Sequence, residues 1–373
     1  MLPSAQQNRY YMEVMTDSQA KADQPYPTPN QVEINNRYAR QMCFGPIGAE
    51  GQKRLGAAQV TLIGCGALGT HLADMMTRAG VGRLTIVDRD FIELNNLQRQ
   101  ILFDENDIAD NLPKAEAAAR KLRRINSDVE INPVVADANH ESIEHFIDAA
   151  DLILDGTDNL QVRFLINDVA LKHNIPWIYG ACIGASGMSL VVMPGGKPCL
   201  RCLFEAPPKP GQLETCETAG IVAPVVAMVS AFQAAEALKI LTGNHKAINR
   251  DFVTFELWEN RSHQMSLANL KGGCAACRDG KFEFLAGKGS LSTISLCGRN
   301  SVQVRPRQAA DKINLAELAG RLREAGMVSC NDFMLRFQIA QKEITIFPDA
   351  RAIVKGTNNI DEARSLYAKY IGH

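Results

Sequence analysis

Between Gly64 and Gln100 the sequence gathers residue types that suit a phosphate- and metal-handling site. Gly64, Gly66 and Gly69 stand in G-C-G-A-L-G, Asp88 and Asp90 in D-R-D, and Asn95, Asn96, Leu97, Gln98 and Arg99 in N-N-L-Q-R-Q. Glycines permit a tight turn and let backbone N–H groups approach a phosphate, and a following helix adds the positive end of its dipole. Asp88, roughly 20 residues beyond the glycines, is where an acid binds a ribose hydroxyl. That much usually belongs to a nicotinamide-dependent oxidoreductase. The carboxylates, amides and arginine crowded into D-R-D-F-I-E-L-N-N-L-Q-R-Q instead favour ATP with magnesium, which needs carboxylates for the metal and a cation for the phosphates.

Further along, D-G-T-D-N places Asp158 and Asn159 after an apolar segment. Asp158 is read either as a magnesium residue or, like Asn159, as the cap of a helix beginning near Leu160. Arg99 and Lys114 are candidate phosphate cations, with ordinary surface charge as the alternative. Two C-x-x-C pairs, Cys199/Cys202 and Cys274/Cys277, have the spacing of a closed, structural four-thiolate zinc site. Redox-active dithiols are the lesser alternative. Cys216, in E-T-C-E-T-A-G ahead of a long apolar helix, is either a nucleophile or persulfide carrier activated by a helix N-terminus, or a buried small residue. Cys43, Cys65, Cys182, Cys297 and Cys330 read as packing residues.

The elements that must position these groups alternate. Strand, glycine turn, helix and strand run from Val60 to Val87. A helix that starts in Asn111-Leu112-Pro113-Lys114 and runs to about Ile125 follows, with Pro113 suited to its first position. Then come a strand at Val129–Val135, a helix at Glu141–Ala150, a strand at Leu152–Leu154, a helix at Leu160–Lys172 and strands at Pro176–Tyr179 and Gly187–Met193. Ala219–Leu241 is a long helix broken early by Pro224, and Phe252–Leu257 a strand. This alternation predicts a doubly wound, Rossmann-like, mostly parallel α/β sheet, with ligands beyond the carboxyl ends of its strands. Residues 1–32 read as a flexible polar tail, in which Met12 or Met15 could be the natural start. Residues 33–286 form the nucleotide-binding domain, and residues 290–373 a small α+β module. That module is expected to hold strands at Val302–Arg305, Phe333–Ile339 and Glu343–Ile346, with helices at Leu315–Ala325 and Asp361–Tyr370. It carries no dense polar cluster and is assigned no chemistry.

A net charge of -1 over 373 residues favours neither nucleic acid nor a membrane surface. Ten cysteines without a visible secretory signal favour metal or catalytic roles over disulfides, and a cytoplasmic location.

Together G-C-G-A-L-G, D-R-D, N-N-L-Q-R-Q, P-K, D-G-T-D-N-x-x-x-R, the two C-x-x-C pairs and C-E-T-A-G, in that order from about Asn36 to Phe284, resemble the ThiF/MoeB/HesA family, relatives of the ubiquitin-activating enzymes. The resemblance implies an adenylyltransferase. With ATP and Mg²⁺ it would adenylate the C-terminal glycine of a small ubiquitin-like sulfur carrier, preparing it for thiocarboxylate formation in thiamine- or molybdopterin-type sulfur transfer. It further implies that Asp88 binds the ribose, that Asn95 to Arg99 line the ATP site, and that Arg99 and Lys114 hold phosphates. Asp158 would hold magnesium, with Asn159 beside it. Arg40 would reach across a homodimer into the partner's site, Cys216 would form a persulfide or acyl-disulfide link in some members, and sulfur would come from a separate protein. Ala67 departs from the family pattern, which has glycine there. A same-fold enzyme acting on another peptide or carrier, an oxidoreductase and a non-catalytic scaffold are the other readings.

Overall fold

The computed structural model describes residues 37–195, 198–207, 216–270, 273–287, 293–296, 300–304 and 313–372. The expected N-terminal tail, Cys297 and Arg305 lie outside them, and for 216–217 and 293–296 only the backbone is described. Eight strands form the larger sheet, β1 (Gln59–Ile63), β2 (Arg83–Val87), β3 (Glu130–Val134), β4 (Leu152–Asp155), β5 (Trp177–Ile183), β6 (Ser186–Val192), β7 (Phe252–Glu256) and β8 (Arg261–Met265), in the order β3-β2-β1-β4-β5-β6-β7-β8. Strands β1 to β5 pair in parallel. The sheet is therefore Rossmann-like and mostly parallel, with an antiparallel extension through β6, β7 and β8.

The side-chain period of two explains why the parallel strands sit inside. Val60, Leu62, Leu152, Leu154 and Ile178 join one buried cluster, beneath helices α1 (Ala67–Ala79), α2 (Lys114–Ile125) and α4 (Ala223–Leu241). Ile63, Ile153, Trp177 and Tyr179 join the other, beneath α3 (Leu160–His173). Helix α4 is long and apolar enough to span a membrane by length and composition alone. It nevertheless packs on α1, β5 and β6, with Val225, Val226, Val229 and Ala237 in the core. Pro224 lies in its first turn rather than breaking it, since the missing N–H of proline costs nothing there. Residues 216–219 form a separate short helix.

Other expected elements shift. Pro113 is the N-cap of α2, one position before its first turn. The helix expected over Glu141–Ala150 shrinks to Ile143–Phe146 with Ile147 as its C-cap, and Ala149 takes a left-handed φ of 64° in the turn that follows. Strand β8 was not expected: all five of its residues are exposed, so it has no apolar alternation to read.

A second, six-stranded antiparallel sheet lies toward the C-terminus. Its strands are β9 (Thr293–Leu296), β10 (Ser301–Val304), β11 (Met327–Cys330), β12 (Leu335–Ile339), β13 (Lys342–Ile346) and β14 (Ala352–Lys355), in the order β11-β12-β13-β14-β10-β9. Val302, Leu335, Phe337, Ile344 and Val354 pack on one face with helices α5 (Leu315–Leu322) and α6 (Ile360–Tyr370). The opposite face approaches the loop after β2. The Phe91 and Phe347 rings lie 5.7 Å apart, and Lys355 Nζ reaches Glu93 at 3.1 Å.

The turn after β1 is built on backbone-to-backbone contact. Gly64 has φ of 89°, and a Cβ there would lie 2.8 Å from the Gly156 carbonyl carbon. A Cβ on Gly69 would lie 2.1 Å from the Gly64 carbonyl oxygen, and one on Gly156 2.4 Å from it. Gly66 by contrast has nothing closer than 3.8 Å and fronts the open cleft. Gly69→Ala is therefore expected to destabilise the protein by about 3 kcal/mol, at the upper end of overpacking costs, whereas Gly66→Ala leaves the urea unfolding midpoint close to that of the parent.

Candidate active site

The strand order reverses between β1 and β4, and a cleft of ≈ 150 Å³ opens there, beyond the carboxyl ends of both strands. Such a switch point is where doubly wound sheets bind ligands. Gly64, Gly66 and Ala67 form its floor, and the N-terminus of α1 points into it. Asp88, Asp90, Asn96, Arg99, Lys114, Asp158 and Asn159 all line it.

Asp88 is fixed by two backbone donors, Cys65 N–H at 2.6 Å and Asp90 N–H at 2.7 Å. Burial pushes its carboxyl above the usual range, and Lys114 opposes that shift. Each oxygen keeps a lone pair for a hydroxyl. Lys114 is buried and reaches Asp90 Oδ2 at 3.4 Å. Arg99 is partly buried, its Nη1 donating to the Asn95 carbonyl at 2.7 Å. No carboxylate pairs with Arg99 among the described residues.

Two other carboxylates, Asp137 on the cleft wall and Asp155 beneath it, are already held by arginines. Asp137 pairs with Arg89 at 2.6 Å. Asp155, at the end of β4, is fully buried and meets Arg163 Nε at 3.0 Å. Arg163 also donates to the carbonyls of Thr157 at 2.6 Å and Gly180 at 2.8 Å. Removing one member of such a pair typically costs about 3–5 kcal/mol. This lattice fixes the loop that presents Asp158, whose exposed carboxylate has no hydrogen bond or ion pair among the described residues. Asn159 caps α3 by accepting from Gln161 and Val162 N–H. The cap and the available carboxylate, which the sequence could not apportion, thus fall to Asn159 and Asp158 respectively. An aspartate fixed in place with its oxygens free fits a hard divalent cation beside phosphates.

Asn95, Leu97 and Gln98 do not line the cleft: Asn95 and Gln98 are exposed, and Leu97 packs on the core. Gly69 lies beneath the turn. Arg40 is exposed on the short helix Ala39–Met42, outside the cleft lining of its own chain. Cys216 begins the helix 216–219, with its side chain outside the described residues. Cys65 is fully buried, and burial, followed by the Asp88 charge, drives its thiol far above the usual range. It is no thiolate near neutral pH. Reasoning from sequence missed Arg89, Gln100, Asp137, Gly156 and Ile221, which also line the cleft. Arg89, Gly156 and Gln100 had a signal as members of D-R-D, D-G-T-D-N and N-N-L-Q-R-Q, whereas Asp137 and Ile221 had none.

The four expected metal cysteines converge on the far side of the sheet. Their sulfur separations are 3.9 Å for Cys199–Cys202, 3.6 Å for Cys199–Cys274, 3.5 Å for Cys202–Cys277 and 3.9 Å for Cys274–Cys277. Tetrahedral thiolates about 2.3 Å from a zinc ion stand ~3.8 Å apart. The cluster therefore has the dimensions of a closed tetrahedral metal site. Burial pushes the Cys202 thiol up to about 11. At Cys274 burial is outweighed by hydrogen bonds from the backbone and from neighbouring thiols, which hold its thiol below the ordinary value. A bound cation would favour the thiolate form throughout the cluster.

A doubly wound sheet with a glycine turn, a buried aspartate and two cations at its switch point has the form of a nucleotide-binding protein. The ThiF family model matches residues 38–276, and the chain belongs to that family. Over 342 residues it is 44% identical to the Bacillus subtilis protein "Sulfur carrier protein ThiS adenylyltransferase", covering 91% of this chain and 100% of that one. It is 36% identical to the Haloferax volcanii "SAMP-activating enzyme E1", covering 57% of this chain and 78% of that one. It is 33% identical to the Xenopus laevis "Adenylyltransferase and sulfurtransferase MOCS3", of which it spans 57%. Among solved structures, E. coli MccB with ATP superposes with a TM-score of 0.55 at 22% identity, over 67% of this chain and 76% of that one, a likeness of fold.

Elemental analysis of the purified protein is expected to return one tightly held metal ion per chain. Cys277→Ser is expected to lose it and to unfold at a lower denaturant concentration.

Proposed function

We propose that this chain is an adenylyltransferase that uses ATP and Mg²⁺ to activate the C-terminal glycine carboxylate of a small ubiquitin-like sulfur carrier protein. The observation that carries this reading is the convergence of Asp88, Arg99, Lys114 and Asp158 on one switch-point cleft. Supporting it is 44% identity to a ThiS adenylyltransferase along that relative's whole length.

The chemistry joins two anions, a carboxylate and a triphosphate. The carboxylate is already a nucleophile, so no general base is required. It attacks the α-phosphorus, an acyl-adenylate forms, and pyrophosphate leaves. Asp88 takes the ribose hydroxyls, while Arg99 and Lys114 offset the charge of the phosphates. Positioning in line supplies several kcal/mol of the barrier reduction, and fixed cations stabilise the charge that builds on the bridging oxygen. Asp158 would hold the magnesium ion, which adds charge neutralisation when bound. Ala67 adds one methyl group at the start of α1, where the cleft is open. Zinc fits the four-cysteine cluster, in a structural role. Arg40 acts in the cleft of a second copy within a homodimer, Cys216 serves a later sulfur-transfer step, and a separate protein donates the sulfur. The thiocarboxylate then enters a thiamine- or molybdopterin-type pathway in the cytoplasm.

The test is pyrophosphate exchange into ATP with carriers ending in Gly-Gly, against the same carriers lacking the last glycine. Exchange should require the terminal glycine and Mg²⁺, and should fall about 10²-fold or more in Asp158→Ala and Arg99→Ala, as for loss of one electrostatic contact in a catalytic site. ATP binding without exchange with any carrier would reassign the acceptor. Binding of a nicotinamide cofactor in place of ATP would refute the reading.

A further inference from the structure

We propose that the cavity between the C-terminal sheet and the loop after β2 is a second binding site, for a small phosphate-bearing anion. This cavity measures ≈ 60 Å³. A single water needs roughly 10–15 Å³ of such space, so one phosphate group fits. Arg336, Thr345, Ser301 and Lys355 line it from the sheet, and Asn96 and Lys114 from the nucleotide domain.

The sheet face behind this cavity is unusual in its chemistry. Cross-strand pairing aligns Arg336 with Thr345, and Ser301 with Lys355, so all four side chains share the face opposite the apolar cluster. Ser301 and Thr345 are 1% and 6% exposed. A polar face hidden from water is stable only when its donors and acceptors are matched. Here the Ser301 hydroxyl and Arg336 Nε, both on residues of the cavity wall, are buried with no hydrogen-bond partner among the described residues. A hydroxyl and a guanidinium donor left in this way call for an acceptor.

The charges of the wall agree. Among its cations, Arg89 pairs with Asp137, Lys114 with Asp90 and Lys355 with Glu93 and Glu343, which leaves Arg336 as a wall cation with no ion pair among the described residues. Hydroxyls beside a guanidinium and an ammonium suit the oxygens of a phosphate. The site is also joined to the first one, since Arg89, Asp90, Asn96 and Lys114 line both cavities. An anion drawn to Lys114 competes with its pair to Asp90, so occupancy of one cavity alters affinity at the other, reciprocally.

The experiment is calorimetric titration of the full chain, free of nucleotide, with orthophosphate and separately with glycerol 3-phosphate. Saturable binding of either is expected, and the tighter of the two shows whether a free ion or an ester head group is preferred. Arg336→Met should weaken it at least about tenfold, the scale of one lost charge-assisted hydrogen bond, while Arg99→Met leaves it in place. Should Arg336→Met not fold, by circular dichroism and unfolding midpoint, the double variant Ser301→Ala, Thr345→Val replaces it. ATP affinity should shift with saturating phosphate in the parent and not in the variant. Absence of saturable binding, binding lost through Arg99→Met instead, or an ATP affinity indifferent to phosphate would each overturn the proposal. These titrations need no carrier protein, so a failed pyrophosphate exchange leaves their outcome independent.

Discussion

The close approach of three backbone segments at the switch point constrains everything around the cleft. Gly64, Gly69 and Gly156 touch through main-chain atoms, with no room for a side chain at any of them. Strands β1 and β4 are thereby drawn together at their carboxyl ends, α1 starts directly over the turn, and the first N–H groups of that helix open onto the cleft. Asp155 and Arg163 then brace the same junction from inside the sheet, with Arg163 reaching the Gly180 carbonyl on β5. A scaffold braced in this way can present Asp158 with its carboxylate uncommitted, since the loop that carries it is held by Asp155 and Arg163 rather than by Asp158 itself.

Much of this was legible in the sequence wherever a local signal existed. Glycine spacing, the acid after β2 and the alternation of strands and helices follow from short-range rules. Paired cysteines were equally plain, because metal-ligand spacing within each C-x-x-C is local even though the pairs are 75 positions apart. The role of Gly156 was opaque for the opposite reason. Its need for a missing Cβ arises only when β4 comes alongside β1. The pairing of Asp137 with Arg89, 48 positions apart, was hidden likewise. The helix expected over Glu141–Ala150 stopped short, with a left-handed Ala149 in the turn beyond it, and strands were overlooked where both faces are polar, as in β8.

The C-terminal module shows the limits of reading composition. Its strands lack any dense polar cluster in sequence, because Ser301, Arg336, Thr345 and Lys355 are scattered over more than fifty positions. Antiparallel pairing brings them onto one face beside the Phe91 loop, where Ser301 and Thr345 are buried and Arg336 and Lys355 partly so. The apolar face of the same sheet obeys the ordinary logic of burial, with Phe337 and Leu335 under α5 and α6. One sheet thus carries two chemistries, a hydrophobic core on one side and a matched but incomplete set of hydrogen-bonding groups on the other.

The contact between Lys355 and Glu93 joins residues 262 positions apart, and its meaning for biosynthesis is distinct from its meaning for binding. A chain made at about 5–20 residues per second exposes the loop after β2 for many seconds before β14 leaves the ribosome. During that interval the loop after β2 has its own sheet behind it but nothing above it, and Phe91 is without the Phe347 ring. The last strands therefore act on the nascent chain as a late-arriving roof, and the order of synthesis sets when the loop after β2 acquires its mature surroundings.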